Sequence, residues 1–380
     1  MSSSDIMVSS MKYRPMLDSF VPYEWEPSTD EIAAKIGMKP GRVLRLDTNT
    51  SPIPPVKLLS QVGRRLHRIP INHYPDTSYS ALREAISDHS GLPVDSIIPT
   101  NGADEAIDII CKIFLETGNE AIASTPTYSF FKIAAELQGG KYVAVPRRED
   151  FSDNVESILS SINSQTRLIF LCSPNNPTGN ITPIEAIEKI CRESNVAVVV
   201  DEAYYEFAGK TAASLVEKYE NLIIVRTLSK AFGLAGARIG YILASSETVK
   251  LLNKARPPNS LGVINIELGV LALKRRNYMH ELVKLINSER QRLFEKLSKL
   301  NGLRVYPSEA NFLLIKFIDP PADKVYEHLL KEGIVVRNLA ASPPTTGCLR
   351  VTIGTRRQNQ RLLNVLLRII GEQKNEDTLG

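Results

Sequence analysis

One lysine, Lys230, stands in the run Thr227-Leu228-Ser229-Lys230-Ala231-Phe232-Gly233-Leu234-Ala235-Gly236-Ala237-Arg238, downstream of Asp201-Glu202-Ala203-Tyr204. An amine, a carboxylate, two hydroxyls and a fixed guanidinium therefore follow one another along the chain. Taken singly they are ordinary: a lysine is usually solvated, and an aspartate after a strand often caps a helix. Together they match the demands of pyridoxal phosphate, which needs an amine for a Schiff base, a carboxylate to keep its pyridine nitrogen protonated, and a donor-rich cradle for its phosphate. Asn101-Gly102-Ala103-Asp104-Glu105 offers the cradle a second wall, since a glycine opening a helix exposes first-turn amides, here Ala103 and Asp104, to an anion. The same residues also make a good helix start. Thr227 and Ser229 would add hydroxyls, and Arg238 a bidentate charge.

The elements that must position these groups follow from apolar patterning. Val196 to Val200 is a continuous apolar run, expected to be a buried parallel strand that delivers Asp201 at its carboxyl edge, where α/β sheets bind ligands. Leu222 to Arg226 does the same for Lys230, and Leu168 to Leu171 leads into the loop Cys172-Ser173-Pro174-Asn175-Asn176-Pro177-Thr178-Gly179. From Ser80 to about Leu252, helical patterns (Ala103 to Glu116, Ser129 to Leu137) alternate with short strands (Glu120 to Ser124, Tyr142 to Val145). This alternation predicts right-handed βαβ units in a mainly parallel sheet flanked by helices. A long helix is expected from Asn277 to Leu300. Strands at Phe312 to Phe317, Ile334 to Arg337 and Leu349 to Ile353, with helices at Asp323 to Lys331 and Arg357 to Ile370, predict a smaller α/β domain. The proline-rich start, with one short helix near Thr29 to Ile36, is expected to be an arm. The expected layout is thus an arm over residues 1–44, a large domain over 45–255 and a small domain over 256–380.

Composition narrows the field. The chain has 380 residues, 43% of them hydrophobic, enough for two domains around sizeable cores. A net charge of +4, from 46 basic and 42 acidic residues, leaves no basic stripe for nucleic acid. No apolar stretch approaches a membrane span, and the first residues lack the basic and apolar blocks of a signal peptide, so a cytoplasmic protein is expected. Four widely spaced cysteines, Cys111, Cys172, Cys191 and Cys348, and five scattered histidines suggest buried thiols and no metal site.

With these motifs in this order over Tyr23 to Arg350, the chain resembles the fold-type-I pyridoxal-phosphate aminotransferases of the class-II family, most closely the histidinol-phosphate aminotransferases. The resemblance implies further roles. Lys230 becomes the general base once substrate displaces it. Asn176 and Tyr204 match residues that hydrogen-bond the cofactor's phenolic oxygen, although Asn-Asn-Pro-Thr-Gly alone is turn chemistry. Tyr128, in Pro126-Thr127-Tyr128-Ser129, matches the aromatic stacked on the pyridine ring. Tyr74, in His73-Tyr74-Pro75-Asp76, matches a tyrosine that a partner subunit lends to the cofactor phosphate, which implies a homodimer.

For substrates, the resemblance implies that Arg350 meets the α-carboxylate of amino acids such as glutamate. Arg337, with Tyr23 nearby, would meet the phosphate of L-histidinol phosphate, and 2-oxoglutarate would accept the amino group. The family's Asn-Glu-Asn-Pro segment is here Asn49-Thr50-Ser51-Pro52. Asn49 is kept, but two neighbours on the substrate side differ. An aromatic or broad-specificity aminotransferase and a threonine-phosphate decarboxylase would use the same cofactor residues. A transcription regulator built on this fold would need an added DNA-binding module, for which the arm is too short and proline-rich.

Overall fold

The computed structural model describes residues 12–18, 20–23 and 25–376. Its frame is a seven-stranded sheet of β2 (Ile97–Thr100), β3 (Glu120–Thr125), β4 (Lys141–Pro146), β5 (Thr166–Cys172), β6 (Ala197–Asp201), β7 (Leu222–Thr227) and β8 (Gly240–Ala244), in the order β2-β8-β7-β6-β5-β3-β4. The pairings from β4 through β7 are parallel, while β8 runs antiparallel to both β7 and β2. The sheet is mainly parallel, as the alternating pattern predicts. Its central strands carry apolar side chains on both faces because helices cover both: Ile169, Val198 and Ile224 enter one core and Phe170, Val199 and Ile223 the other. All five residues of β6 are buried, which carries Asp201 into the interior at the strand's end.

The second sheet has the order β1-β11-β12-β10-β9, formed by β1 (Leu44–Leu46), β9 (Leu303–Val305), β10 (Phe312–Phe317), β11 (Ile334–Asn338) and β12 (Cys348–Thr352). It is antiparallel except for β1, which pairs parallel with β11. β1 lies at the junction between the expected arm and the expected large domain. It joins the small sheet because Leu44 and Leu46 are buried there beside Ile334 and Val336. Upstream, the helix Thr29–Lys35 begins with a capping box in which Ser28 and Glu31 satisfy each other's backbone amides. The long helix Asn277–Leu297 links the two sheets in sequence, and the helix Arg356–Glu376 closes the described chain. All four cysteines are buried and unbridged. Among the described residues, no helix is long and apolar enough to cross a membrane.

Candidate active site

The carboxyl ends of β5, β6 and β7 supply one cleft. Below them, a buried ion pair ties β6 to β7: Arg226 Nε donates to Glu202 Oε2 at 2.9 Å, and the guanidinium lies 3.7 Å from the centre of the Tyr205 ring. Because Glu202 follows Asp201 and Arg226 precedes Thr227, this clamp fixes the registers of two functional residues at once. Asp201 Oδ1 accepts from the Ala203 amide at 3.0 Å, whereas among the described residues Oδ2 meets only the Cys172 thiol, at 4.0 Å. Burial pushes the Asp201 carboxyl up to about 7, against the Ala203 amide and the Lys230 charge, which favour ionisation. Such a carboxylate is short of a cationic partner.

Lys230 lies three residues beyond β7, and its Nζ donates to the Thr48 carbonyl at 3.3 Å. Burial first, then the charges of Arg350 and Arg238, press its amine down to about 8 despite the opposing Asp104 and Asp201. Its ammonium stands 5.7 Å from the centre of the Tyr204 ring. Tyr204 is buried, edge-on to Phe312, and its hydroxyl accepts from Asn49 Nδ2 at 3.1 Å. Asn49 in turn is a buried node with φ +54°. Its amide donates to Thr352 Oγ1 at 2.9 Å, its Oδ1 accepts from that hydroxyl at 3.1 Å, and its carbonyl accepts from Asn311 Nδ2 at 2.9 Å. Asparagine tolerates this left-handed backbone better than most residues. The segment Asp47–Asn49 is thereby sewn to β10 and β12 while facing the lysine.

The cradle residues also meet. Arg238 Nη2 lies 3.0 Å from Asp104 Oδ2, and Tyr128 donates to Asp104 Oδ1 at 2.9 Å. Thr227 Oγ1 is 2.8 Å from Ser229 Oγ and accepts from the Ser229 amide at 3.1 Å. Two glycines permit this closeness. A Cβ on Gly102, whose φ is +81°, would stand 2.5 Å from Arg238 Nη2, and one on Gly240 would stand 2.5 Å from the Gly102 carbonyl carbon. Ala103 and Asp104 thus begin the helix Gly102–Phe114 directly opposite Arg238. Glu105 closes that helix's first turn by accepting from the Asn101 amide at 2.6 Å.

A cavity of about 730 Å³ has walls that include Tyr23, Glu26, Tyr128, Asn176, Arg337 and Arg350. Arg337 on β11 and Arg350 on β12 are direct cross-strand partners. Arg350 donates to Asn176 Oδ1 and to the Asp47 carbonyl, lies 5.5 Å from the Phe312 ring centre, and keeps a buried Nε without a hydrogen-bond partner among the described residues. Burial, and secondarily Arg337, lower its guanidinium below the ordinary value. Asn175, the other asparagine of the loop, turns away from the cavity to brace the loop through Pro126, Thr127 and Thr178.

Lys230, Asp201, Tyr204, Asn176, Asn49 and Arg350 therefore share one cleft, with Thr227, Ser229, Arg238, Ala103, Asp104 and Tyr128 along one wall and Tyr23 and Arg337 at the cavity's far side. Tyr74 does not join them within one chain. It is 84% exposed and lines a separate cavity of about 410 Å³ with Arg65, Arg68 and Glu267. Thr352, Asn311 and Glu26 escaped the sequence reading. A lone threonine, asparagine or glutamate carries no local signal, and their partners lie far away along the chain.

Comparison with known proteins shows the family. The family model described as aminotransferase class I and II matches residues 42–366. The histidinol-phosphate aminotransferase of Caldanaerobacter subterraneus subsp. tengcongensis is 37% identical over 328 residues, covering 86% of this chain and 93% of its own. That of Methanosarcina mazei is 38% identical over 342 residues, covering 88% and 90%. Among solved structures, the histidinol-phosphate aminotransferase from Sinorhizobium meliloti in complex with pyridoxal-5'-phosphate superposes with a TM-score of 0.86 at 25% identity, covering 97% of this chain and all of that one.

Proposed function

The chain belongs to the class I and II aminotransferase family, and from that premise we propose that it moves the amino group of L-histidinol phosphate to 2-oxoglutarate, giving imidazole acetol phosphate and L-glutamate in histidine biosynthesis, with pyridoxal phosphate as cofactor. The single observation that carries the donor is the pair of cross-strand arginines, Arg337 and Arg350, opening on one cavity. Two guanidiniums side by side, Arg350 buried and Arg337 paired with Glu26, favour a ligand with more than a single negative charge, and a phosphate ester brings about −1.5 to −2 charges at neutral pH.

The residues fit the cofactor. Asp201 Oδ2 lacks a charged partner, which a protonated pyridine nitrogen would supply. Gly102 leaves open the space beside Arg238 where a phosphate would be held between that guanidinium and the first amides of a helix. In this role Ala103, Asp104, Thr227, Ser229 and Arg238 would hold the phosphate, Tyr128 would pack against the ring, and Asn176 and Tyr204 would serve the phenolic oxygen. When bound, pyridoxal phosphate supplies an electron sink for the bond broken at the substrate Cα.

The protein's own groups do the rest. Lys230 would hold the cofactor through its amine and, once released, would serve as the base that takes the proton from the substrate Cα. Its lowered proton affinity suits both tasks. Arg350 receives the α-carboxylate of 2-oxoglutarate in the second half of the cycle and holds it until glutamate leaves. Tyr23 and Arg337 hold the donor's phosphate, and Asn49 keeps Tyr204 oriented. We propose further that the enzyme is a cytoplasmic homodimer, with Tyr74 reaching the partner's cofactor phosphate. Its proposed layout is an arm over residues 1–44, a cofactor domain over 45–255 and a small domain over 256–380.

The test is a half-reaction. Cofactor-loaded enzyme is mixed with L-histidinol phosphate without a keto acid, and the keto product is measured by mass spectrometry. About one equivalent per subunit is expected. No product from this donor, with product from phenylalanine or tyrosine, would leave an aminotransferase but remove the histidine-pathway donor.

A further inference from the structure

Glu26 has no assigned role, yet it sits at the centre of the proposed phosphate seat. Its Oε1 accepts from Tyr23 at 3.1 Å and from Arg337 Nη1 at 3.0 Å, so one carboxylate oxygen occupies the donors of both residues that would receive a phosphate. The pair is partly sheltered, Arg337 and Glu26 keeping 25% and 28% of their side-chain surface exposed. All three residues line the cavity into which Arg350 also opens. Neither the Arg337 charge nor the Tyr23 hydroxyl therefore awaits substrate bare.

We infer that Glu26 is a selectivity residue, an internal carboxylate that fills the anion seat until a ligand with more charge replaces it. The inference rests on reading this cavity as the donor's phosphate seat. A tethered group competes with an effective concentration on the order of millimolar. A ligand carboxylate offers the same single charge and two oxygens, so the exchange gains little. A phosphate monoester brings close to a second charge and a third oxygen, enough to take over both donors while Glu26 turns toward solvent. An uncharged side chain meets an arginine that is already compensated and does not have to desolvate a lone cation. Glu26 thus ranks ligands by charge, and it does so by weakening the binding of every anion.

The experiment compares wild type with Glu26→Gln, both as cofactor-loaded enzyme. It uses steady-state kinetics with L-histidinol phosphate and calorimetric titration with inorganic phosphate, and repeats both in an Arg337→Gln background. Removing the internal anion should lower KM for the phosphorylated donor and Kd for inorganic phosphate by roughly three- to tenfold, the scale of a partly sheltered ion pair. The change should fall on KM more than on kcat and should vanish when Arg337 is also replaced. Unchanged or raised KM and Kd in Glu26→Gln, with the phosphorylated donor still turned over, would overturn the role of Glu26 alone. If wild type neither turns over that donor nor binds inorganic phosphate, the donor reading fails and this inference falls with it.

Discussion

The amine of Lys230 is pressed down to about 8 from the ordinary 10.5 mainly by burial, and only its unprotonated form can attack the cofactor aldehyde. Capture of pyridoxal phosphate by cofactor-free protein should therefore speed up with rising pH and level off above about 8, as stopped-flow absorbance would record. A solvated lysine would still be accelerating there. Asp201 gives the opposite sign. Its folded-state value, about 7, lies above the ordinary 3.8, so its contribution to stability is present below pH 4 and is lost as pH climbs through 7. In cofactor-free protein, Asp201→Asn should raise Tm more at pH 8 than at pH 5, while reducing cofactor retention at both. These residues were legible in the sequence because each ends a strand inside a recognisable motif. Glu26 and Thr352 were not. Each has its defining partner in a distant segment, Glu26 in Arg337 311 residues away and Thr352 in Asn49 303 residues away.

Among the elements, the junction of β8 with the start of the helix Gly102–Phe114 is the most demanding. An alanine Cβ at 240 would lie 2.5 Å from the Gly102 carbonyl carbon and 2.7 Å from the Ala103 amide nitrogen, both backbone atoms that cannot turn aside. Gly240→Ala should cost about 1–3 kcal/mol in denaturant unfolding and loosen the cofactor phosphate. Gly236→Ala, which meets nothing within 4 Å, should do neither. The buried strands β5, β6 and β7 were legible because apolar runs bounded by polar turns have few other uses. Four others were not. β1 and β9 have only three residues each and are defined by their partners β11 and β10, β2 carries a proline, and β8 runs against the parallel grain behind a loop dominated by motif residues. In each case pairing, which is non-local, decided what periodicity could not.

At the scale of the whole molecule, Tyr74 is exposed and takes no part in its own chain's cleft. If the partner subunit uses it, chains carrying Lys230→Ala and chains carrying Tyr74→Ala should complement. A hybrid dimer would contain one site with both residues intact, so mixing the two weak variants under exchange conditions should restore a substantial fraction of wild-type activity. Failure to complement, with hybrids verified by native mass spectrometry, would place Tyr74 outside the partner's site. The two-sheet architecture was legible from the order of strands and helices, but the return of β1 to the second sheet was not. That return bears on how the protein is made. β1 and the buried Asn49 leave the ribosome about 300 residues before their partners, and cannot find β11 and Thr352 until those have been synthesised. The cofactor sheet can condense first, but a nascent chain holding Lys230 and Asp201 still lacks the braces on Thr48 and Tyr204. Competence to hold the cofactor should therefore arrive only after β11 and β12 have emerged.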